Sequence, residues 1–466
     1  MDGFVPPNLL IPPRTTNAED EPVSPTGRLF LQPSMDVIVH AVIGLEQDVD
    51  VETIKATVKD ALLSKLPRFS CLLVRTRTRE YWQKNEVDID RHFIIVDSTG
   101  ATEDVDKAIN DYIANLSVSK PLSSDKPLWE AHIMTHYRCV IFRVHHSLGD
   151  GISLMQTLVA LCRRRNDQSP LSFPSPVKQT KAPLMGGSLQ RLLASLTYIL
   201  LSIFFCFEFI LRSLWLRDGR TAISGGEGVE SLPRQLATAK FLLDDMKVVR
   251  NAIEGATIND VLVAVISAGL AKYLDKRGEK RLDKGVRLTC VSMINLRGLQ
   301  DPSKMRRASL ELQSGNKFGM MFIPVNCYKS VANPLDVVKR AKLINDAKKR
   351  SFEPLFSYSV GNLVMSLFGP KFAFMLYYKA MCNTSLTLSN VMGPKEEITI
   401  WGAPIKFMRV STTSLSHSLT IHFLSYAGRA EMQILVAKDI IPDPEFLAKC
   451  FEDALREMKL AALSTL

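Results

Sequence analysis

The sequence predicts an α/β protein built from two halves. The chain has 466 residues, of which 46% are hydrophobic, enough for two domains with substantial cores. Short runs of β-branched and apolar residues alternate in both halves with segments that have the apolar spacing of helices. A stretch rich in Ser, Pro, Lys and Gly, residues 166–188, separates the halves as a linker would.

The first half begins with residues 1–27, whose six prolines predict an extended arm that precedes the fold. Residues 28–188 form the predicted N-terminal lobe. Its strands are short apolar or β-branched runs, and its helices repeat apolar residues at intervals of three and four. The predicted strands are residues 35–45, 93–96 and 139–144, and the predicted helices are residues 51–63 and 152–162.

The second half opens with a hydrophobic segment, residues 189–220, for which we predict membrane association. Residues 192–216 are the most apolar stretch of the chain and are interrupted only by Glu208 and Arg212. Residues 221–466 form the predicted C-terminal lobe and repeat the same alternation. A helix is predicted over residues 258–274, and strands over residues 286–294, 320–325, 419–424 and 432–436.

Charge and cysteine content narrow the function classes. A net charge of +10 favours anionic partners such as phosphate-bearing cofactors or acidic lipid surfaces. The basic residues are spread along the chain, which indicates solvated faces and argues against nucleic-acid binding. The eight cysteines form no zinc or redox spacing, and the N-terminus lacks the features of a secretory signal. A reduced, cytosol-facing compartment fits these features.

One run, residues 145–151 (HHSLGDG), combines the groups that acid–base chemistry needs at a predicted strand-to-helix junction. A histidine titrates near neutral pH, so His146 can take a proton from a hydroxyl group. Asp150 follows four residues later, where its carboxylate can pair with a distant cation and hold the loop. Gly151 has no Cβ, which suits a turn that enters a helix.

Other chemistries have weaker support. The chain has no GxSxG, GxxxxGK[ST], GxGxxG or HExxH motif, the usual signals of hydrolases, NTPases, dehydrogenases and zinc proteases. Neighbouring strand residues point to opposite faces, so His145 and His146 do not easily share an ion, and we expect no metal site. A histidine pair that caps a buried strand without catalysis stays open as an alternative.

The HHxxxDG run and several further pieces resemble the plant branch of the wax ester synthase/diacylglycerol acyltransferase family, within the CoA-dependent acyltransferases. The resemblance covers almost the whole chain, and the pieces follow in the family's order. Besides residues 145–151 they are PLWE at 127–130, ND at 259–260, NLRG at 295–298, GNKFG at 315–319, SNVMGP at 389–394 and SYAG at 425–428. Met392 departs from the family, which often has proline there.

The resemblance implies a two-lobed fold like that of chloramphenicol acetyltransferase, with mixed sheets, helices and an active-site channel between the lobes. It implies transfer of a fatty acyl group from acyl-CoA to a long-chain alcohol, giving a wax ester, or to diacylglycerol, giving triacylglycerol. His146 would be the base, and His145, Asp150 and Gly151 the other residues of the catalytic motif, with acyl-CoA as co-substrate and no cofactor. The alternatives are an acyltransferase for a more soluble alcohol and a non-catalytic lipid-binding protein of the same fold.

Further candidates for the site come from the matching pieces. Arg297 is the expected partner of Asp150, because a buried carboxylate needs a cation and the resemblance places this arginine near the site. Asn295 and Asn390 could donate to the developing oxyanion or simply form turns. The remaining candidates are Trp129 and Ser389 for the substrate channel, and Lys317, Arg306 and Arg307 for the CoA phosphates. The alternative for Trp129 is an aromatic side chain packed in the core, and the alternative for the three basic residues is a solvated position on the surface.

The apolar segment poses a topological problem. Its uncharged core, residues 192–207, would rise only about 24 Å as a helix, against about 30 Å of hydrocarbon. A single span would also place His146 and Arg297 on opposite sides of the bilayer. We therefore expect an interfacial helix or a re-entrant hairpin, joined by a second apolar stretch at residues 363–378. The expected location is the cytosolic face of the endoplasmic reticulum membrane, or the plasma membrane.

Overall fold

The computed structural model describes residues 20–65, 67–76, 79–96, 102–119, 121–171, 188–297 and 316–465. Within these residues the chain forms two lobes, each centred on a mixed β-sheet with helices packed against it. The predicted α/β class with two lobes is confirmed. Arg306, Arg307, Gly298, Gly315, residues 1–19 of the arm and residues 172–187 of the linker lie outside the described residues.

The first half of the chain forms its elements close to the predicted positions. The predicted strand at residues 139–144 is a seven-residue strand that is buried throughout, as its continuous apolar sequence requires. In chain order the elements are β1 (Glu21–Pro22), α1 (Pro25–Phe30), β2 (Ile38–Leu45), α2 (Val51–Lys65), β3 (Cys71–Arg75), β4 (Glu80–Lys84), β5 (Phe93–Ile95), α3 (Val105–Ser117), β6 (Trp129–Met134), β7 (Cys139–His145), α4 (Gly151–Leu161) and β8 (Arg163–Arg164).

The second half begins with the long apolar helix and then alternates helices and strands. The elements are α5 (Ser188–Leu214), β9 (Arg234–Leu242), α6 (Leu243–Asn251), α7 (Ile258–Lys276), β10 (Val286–Asn295), β11 (Phe318–Cys327), α8 (Pro334–Lys349), α9 (Glu353–Cys382), β12 (Leu386–Met392), β13 (Ile398–Ile400), β14 (Ala403–Thr412), β15 (Leu419–Tyr426), β16 (Arg429–Ala437) and α10 (Pro444–Leu463). A capping box between Thr257 and Asp260 starts α7, so the aspartate of the ND piece is structural.

Two large sheets define the lobes. The first has seven strands in the order β5-β6-β7-β2-β14-β13-β8, and the second has six in the order β11-β10-β12-β15-β16-β9. Parallel pairs occur at β5–β6, β10–β12 and β12–β15, so both sheets are mixed. A small sheet, β1-β4-β3, lies beside the first lobe.

One segment of the second half crosses into the first lobe. β13 and β14 belong to the seven-stranded sheet, where β14 pairs antiparallel with β2 and places Thr412 opposite Val39. Residues 398–412 therefore lie in the sheet of the N-terminal lobe, although the sequence assigns them to the region after residue 220. Because β14 of the second half pairs with β2 of the first, backbone hydrogen bonds hold the two halves of the chain together in this sheet.

The N-terminal arm joins the fold earlier than residue 27. Glu21 and Pro22 pair with β4, and Ser24 caps α1, which starts at Pro25. The prolines that suggested an extended arm fit these positions, because proline is tolerated at a sheet edge and favoured in the first turn of a helix. α1 packs against α9, which brings this segment toward the centre of the molecule.

The charges that interrupt the apolar segment are buried against the C-terminal lobe. Glu208 Oε1 accepts from Arg212 Nε at 3.1 Å, and Glu208 Oε2 lies 3.6 Å from Lys348 Nζ. Lys348 also binds Glu353 at 2.8 Å, with neither side chain exposed. These four residues form what we call the helix-base cluster. It fixes the C-terminal part of α5 to α8 and to the start of α9.

Candidate active site

The HHSLGDG loop joins β7, which ends at His145, to α4, which begins at Gly151. This is the strand-to-helix junction that the sequence predicts. Asp150 is the N-cap of α4 and accepts from the Ser153 backbone N–H at 3.1 Å. A Cβ on Gly149 would lie 2.5 Å from Ser153 Oγ, so the turn has no room for a side chain there. The loop conformation is therefore closely determined by its own residues.

Asn316, from the second half of the chain, holds His146 at two points. Its Nδ2 donates to the His146 carbonyl oxygen at 2.8 Å, which sets the orientation of the amide. Its Oδ1 lies 3.1 Å from His146 Nδ1 and is an acceptor, so Nδ1 carries the proton of the neutral ring. The lone pair is then on Nε2, the nitrogen that can take a proton from a substrate.

The surroundings of His146 keep the ring neutral. Burial lowers the pKa of His146 below its usual value, and the Asp150 charge and the Asn316 hydrogen bond oppose this only in part. The ring centroids of Phe30 and Phe318 lie 4.3 Å and 6.1 Å from that of His146. An imidazole in this apolar setting is a base at neutral pH.

Asp150 connects the loop to the second half of the chain. Its carboxylate forms an ion pair with Arg297, and each side chain is 9% exposed. It also accepts from the backbone N–H of Lys317 at 3.1 Å. The ion pair is the one that the sequence analysis expects. Since Lys317 follows Asn316, Asp150 holds both the loop and the residue that orients His146, and its role is positioning.

His145 has both ring nitrogens occupied within the loop region. Nδ1 accepts from the Ser147 backbone N–H at 3.1 Å, so the ring proton lies on Nε2. Nε2 then donates to Asp36 Oδ1 at 2.8 Å. This geometry makes His145 a structural support for the loop, with both of its ring nitrogens engaged in hydrogen bonds.

Strand β12 passes beside the start of α4. A Cβ on Gly151 would meet Val391 Cγ2 at 3.4 Å, an ordinary van der Waals distance, so the strand lies in contact with the start of the helix without requiring glycine there. Ser389 is half-buried two residues earlier on the same strand. Asn390 is exposed and donates to Asn259 Oδ1 at 2.6 Å, which explains the asparagine of the ND piece. The Asn390 amide is thus engaged in a contact between β12 and the start of α7.

Asn295 lies at the end of β10 and shapes the turn that carries Arg297. Its Oδ1 accepts from the Arg297 backbone N–H at 3.0 Å. The structure therefore places Asn295 in the turn that carries Arg297, and the side-chain amide nitrogen of Asn295 can still donate.

Trp129 is a core residue of the N-terminal lobe. It is 1% exposed, stacks on His92 with ring centroids 4.0 Å apart, and donates from Nε1 to the Phe69 carbonyl oxygen at 2.9 Å. These contacts satisfy its polar atom and its aromatic faces within the lobe, in line with the packed-aromatic alternative.

Three residues that contact His146 are not predicted from the sequence as site residues. Asn316 and Phe318 lie in the GNKFG piece, which matches the family in sequence but gives no role to either residue. Phe30 carries no signal at all, because its contact with His146 depends on how α1 folds back over the loop. Among the described residues, no group of three or more His, Cys, Asp or Glu side chains is arranged to hold a metal ion.

A neutral histidine in an HHxxxDG loop, held between two lobes, defines an acyltransferase of the chloramphenicol acetyltransferase-like class. Solved structures support this fold. The chain is similar to the wax ester synthase/diacylglycerol acyltransferase from Marinobacter aquaeolei VT8, with a TM-score of 0.58, 17% identity and coverage of 95% and 99% of the two chains. It is also similar to a double mutant of the starter condensation domain of rhizomide synthetase RzmA in complex with C8-CoA, with a TM-score of 0.54, 14% identity and 95% coverage of each chain.

Sequence comparison identifies the family. Residues 51–262 match the wax ester synthase/diacylglycerol acyltransferase catalytic domain, and residues 314–459 match the WS/DGAT C-terminal domain. Wax ester synthase/diacylglycerol acyltransferase 2 of Arabidopsis thaliana is 34% identical over 97% of this chain and 98% of its own length. Wax ester synthase/diacylglycerol acyltransferase 11 of the same plant is 31% identical over 96% of both. The chain belongs to this family, and it is an O-acyltransferase that acts on alcohols or diacylglycerol.

Proposed function

We propose that His146 is the general base of this acyl transfer and that acyl-CoA is the donor. The observation that carries the proposal is the clamp by Asn316, which assigns the proton to Nδ1 and leaves Nε2 as a lone-pair nitrogen. Burial supports the same role, because it lowers the pKa of His146 and keeps the ring unprotonated at neutral pH.

In the proposed reaction the acceptor hydroxyl gives its proton to Nε2 as its oxygen attacks the thioester carbonyl carbon. The tetrahedral intermediate then collapses, the C–S bond breaks, and the protonated imidazole returns the proton to the CoA thiolate. The products are an ester and CoA thiol. Each step is balanced without a metal or a further cofactor, so acyl-CoA is the only co-substrate proposed.

For the oxyanion of the intermediate we propose Asn295 as donor. It is two residues from Arg297, which binds Asp150 beside the catalytic loop, and its own Oδ1 is used in the turn while Nδ2 can donate. Asn390 is the weaker candidate, because its amide already donates to Asn259.

The proposed acceptors are long-chain alcohols or diacylglycerol, taken at the cytosolic face of the endoplasmic reticulum membrane or at the plasma membrane. Within the described residues two helical stretches, Ser195–Leu214 and Glu353–Cys382, are long and apolar enough to cross a membrane. Since both lobes supply His146 and its partners, they must lie on the same side of the membrane. An interfacial position of these helices satisfies that requirement. No nucleic-acid partner is proposed.

The test is acyl transfer from palmitoyl-CoA in membranes that carry the protein, with hexadecanol and diacylglycerol offered together. We expect wild type to form wax ester or triacylglycerol, and His146→Ala to lose about 10²–10⁴-fold of that activity. The product ratio then decides the main acceptor.

His136→Ala is the matched control, because His136 is an exposed histidine on the surface of the same lobe. It should keep wild-type activity. Full activity in His146→Ala would remove His146 from the mechanism. A wild type that forms neither product would favour a more soluble alcohol or a lipid-binding role.

A further inference from the structure

Helix α9 folds back on itself. Its first residue, Glu353, shares a buried lysine with Glu208 of α5, and Asn383, just after its end, donates to the Arg212 carbonyl oxygen at 2.6 Å. Both ends therefore meet the same turn of α5, whereas a straight helix of 30 residues would be about 45 Å long. The reversal is at Gly369, which has φ 79° and ψ 175° and precedes a proline. We call residues 353–382 the α9 hairpin.

The outer surface of the α9 hairpin is apolar and carries only positive charge. Leu367 and Phe368, which immediately precede Gly369 at the tip, are 66% and 62% exposed. The sole acidic residue of the hairpin is the buried Glu353, while Lys371 and Lys379 are exposed. An apolar surface fringed by lysines suits an anionic lipid interface. The adjoining face of α5 continues this surface, with Leu192, Leu196, Ile199, Leu200, Ile203, Phe204 and Phe207 all exposed.

The inner surface of the hairpin leads to the catalytic histidine. Met381 and Ala380 of α9 belong to one buried apolar cluster with Phe30 of α1 and with Met320 and Phe322 of β11. Side chains of α5 and α9 also pack against this cluster, namely Phe209, Phe374 and Tyr377. The cluster thus joins the two apolar helices to Phe30, which contacts the His146 ring.

Phe30 occupies the end of this apolar route. It is 4% exposed, and its ring lies 4.3 Å from the His146 ring and 6.0 Å from that of Phe318. It therefore touches both the cluster beneath the hairpin and the base. A methionine- and phenylalanine-rich cluster can repack around a flexible chain with little loss of contact.

We propose that the acceptor reaches His146 from the bilayer along this cluster, beneath the α9 hairpin, and that Phe30 closes the route until an acceptor displaces it. The inference rests on the proposed function, because it assigns the path of the acceptor in that reaction. An acceptor dissolved in the bilayer needs an apolar route from the lipid side. Acyl-CoA is amphiphilic and carries phosphates, so it approaches from water and meets the acceptor at His146 from the other side.

The first experiment uses full-length protein, palmitoyl-CoA, and vesicles of phosphatidylcholine and phosphatidylserine that contain hexadecanol, with dissolved 1-butanol as a second acceptor. In the triple variant Leu367→Ser, Phe368→Ser, Phe372→Ser, only exposed side chains change. Hexadecyl ester formation should fall about tenfold or more, because the hairpin loses its hold on lipid. Butyl ester formation should stay within about twofold of wild type, because the site is untouched.

Leu343→Ser is the matched control, since Leu343 is 70% exposed on α8, away from the hairpin. It should change neither rate. The inference is overturned if the triple variant keeps hexadecanol transfer or loses transfer to both acceptors equally. If wild type forms neither ester, or if His146→Ala keeps both, the proposed function fails instead.

The second experiment tests Phe30 itself. Phe30→Ala should raise the ratio of butyl to hexadecyl ester several-fold, because an open route admits small dissolved alcohols. Phe241→Ala removes an equally buried phenylalanine from the core of the other lobe and should leave the ratio unchanged. A purely structural role for Phe30 would lower both rates by the same factor, and that result would contradict the closure.

Discussion

Two clusters of buried charged residues in this protein each hold distant segments of the chain together, but they position different parts of the molecule. The Asp150–Arg297 pair joins the catalytic loop of the first half to a turn of the second, and the helix-base cluster joins the apolar helix α5 to α8 and α9. In both, a charge taken out of water is tolerated only because its partner is present, so each cluster enforces one arrangement of distant segments. The first arrangement places His146, the proposed base, and the second directs an apolar surface outward.

Arg297→Met should produce the largest effect, because it breaks the cluster at the site. It leaves the buried Asp150 carboxylate without its cation, which costs about 3–5 kcal/mol of unfolding free energy. The displaced loop should also lower kcat/KM about a hundredfold, since small misplacements of a catalytic group are costly. Denaturant titration and kinetics with a dissolved alcohol measure the two effects. A variant with wild-type kinetics would show that the pair does not position His146.

Lys348→Met breaks the other cluster and should separate stability from catalysis. It leaves Glu353 and Glu208 buried beside each other, and we expect a loss of about 3–5 kcal/mol of unfolding free energy. The double variant Lys348→Met, Glu353→Gln should recover part of that loss, because one uncompensated charge is removed. The folded fraction should transfer acyl groups to dissolved butanol at nearly the wild-type rate. A loss of kcat comparable with that of Arg297→Met would contradict the distinction between the clusters.

A change of pH should act on the site through His146, whereas the helix-base cluster contains no histidine. Because burial lowers the pKa of His146, the neutral base persists below the usual imidazole value of about 6.5. The rate with a dissolved alcohol should therefore hold to about that pH and fall only as the ring gains a proton at lower pH.

Asn316→Asp sharpens this prediction. A carboxylate beside Nδ1 favours the imidazolium, so the pH at which the rate falls on the acid side should be about one unit higher than in wild type. Circular dichroism at each pH controls for unfolding. An unshifted limb would show that the group titrating in the profile is not His146.

Several residues of the candidate site can be predicted from the sequence. His146, Asp150 and Gly151 lie in one short loop, and a β-strand followed by a helix with an aspartate cap is a local feature that local sequence can encode. Arg297 was reached through the family resemblance together with the need of a buried carboxylate for a cation. The positioning roles of His145 and Asn316 were not reached, because a role that depends on which nitrogen faces which amide requires coordinates.

The apolar helices show the same division. The short uncharged core of residues 192–216 and the need for both halves to build one site predict an interfacial helix or a re-entrant hairpin in place of a simple span. The contact of Glu208 with Lys348 and the hydrogen bond from Asn383 to the Arg212 carbonyl oxygen join segments more than a hundred residues apart in sequence, so local sequence does not show them.

The sequence by itself determined the local elements, the loop that carries the proposed base and the presence of an apolar surface, because each follows from residues close together in the chain. Only the tertiary structure decided the tautomer of His146, the return of β14 into the first sheet and the position of Phe30 over the base. These depend on contacts between distant segments, whose geometry is set by packing and by paired buried polar groups rather than by local preference.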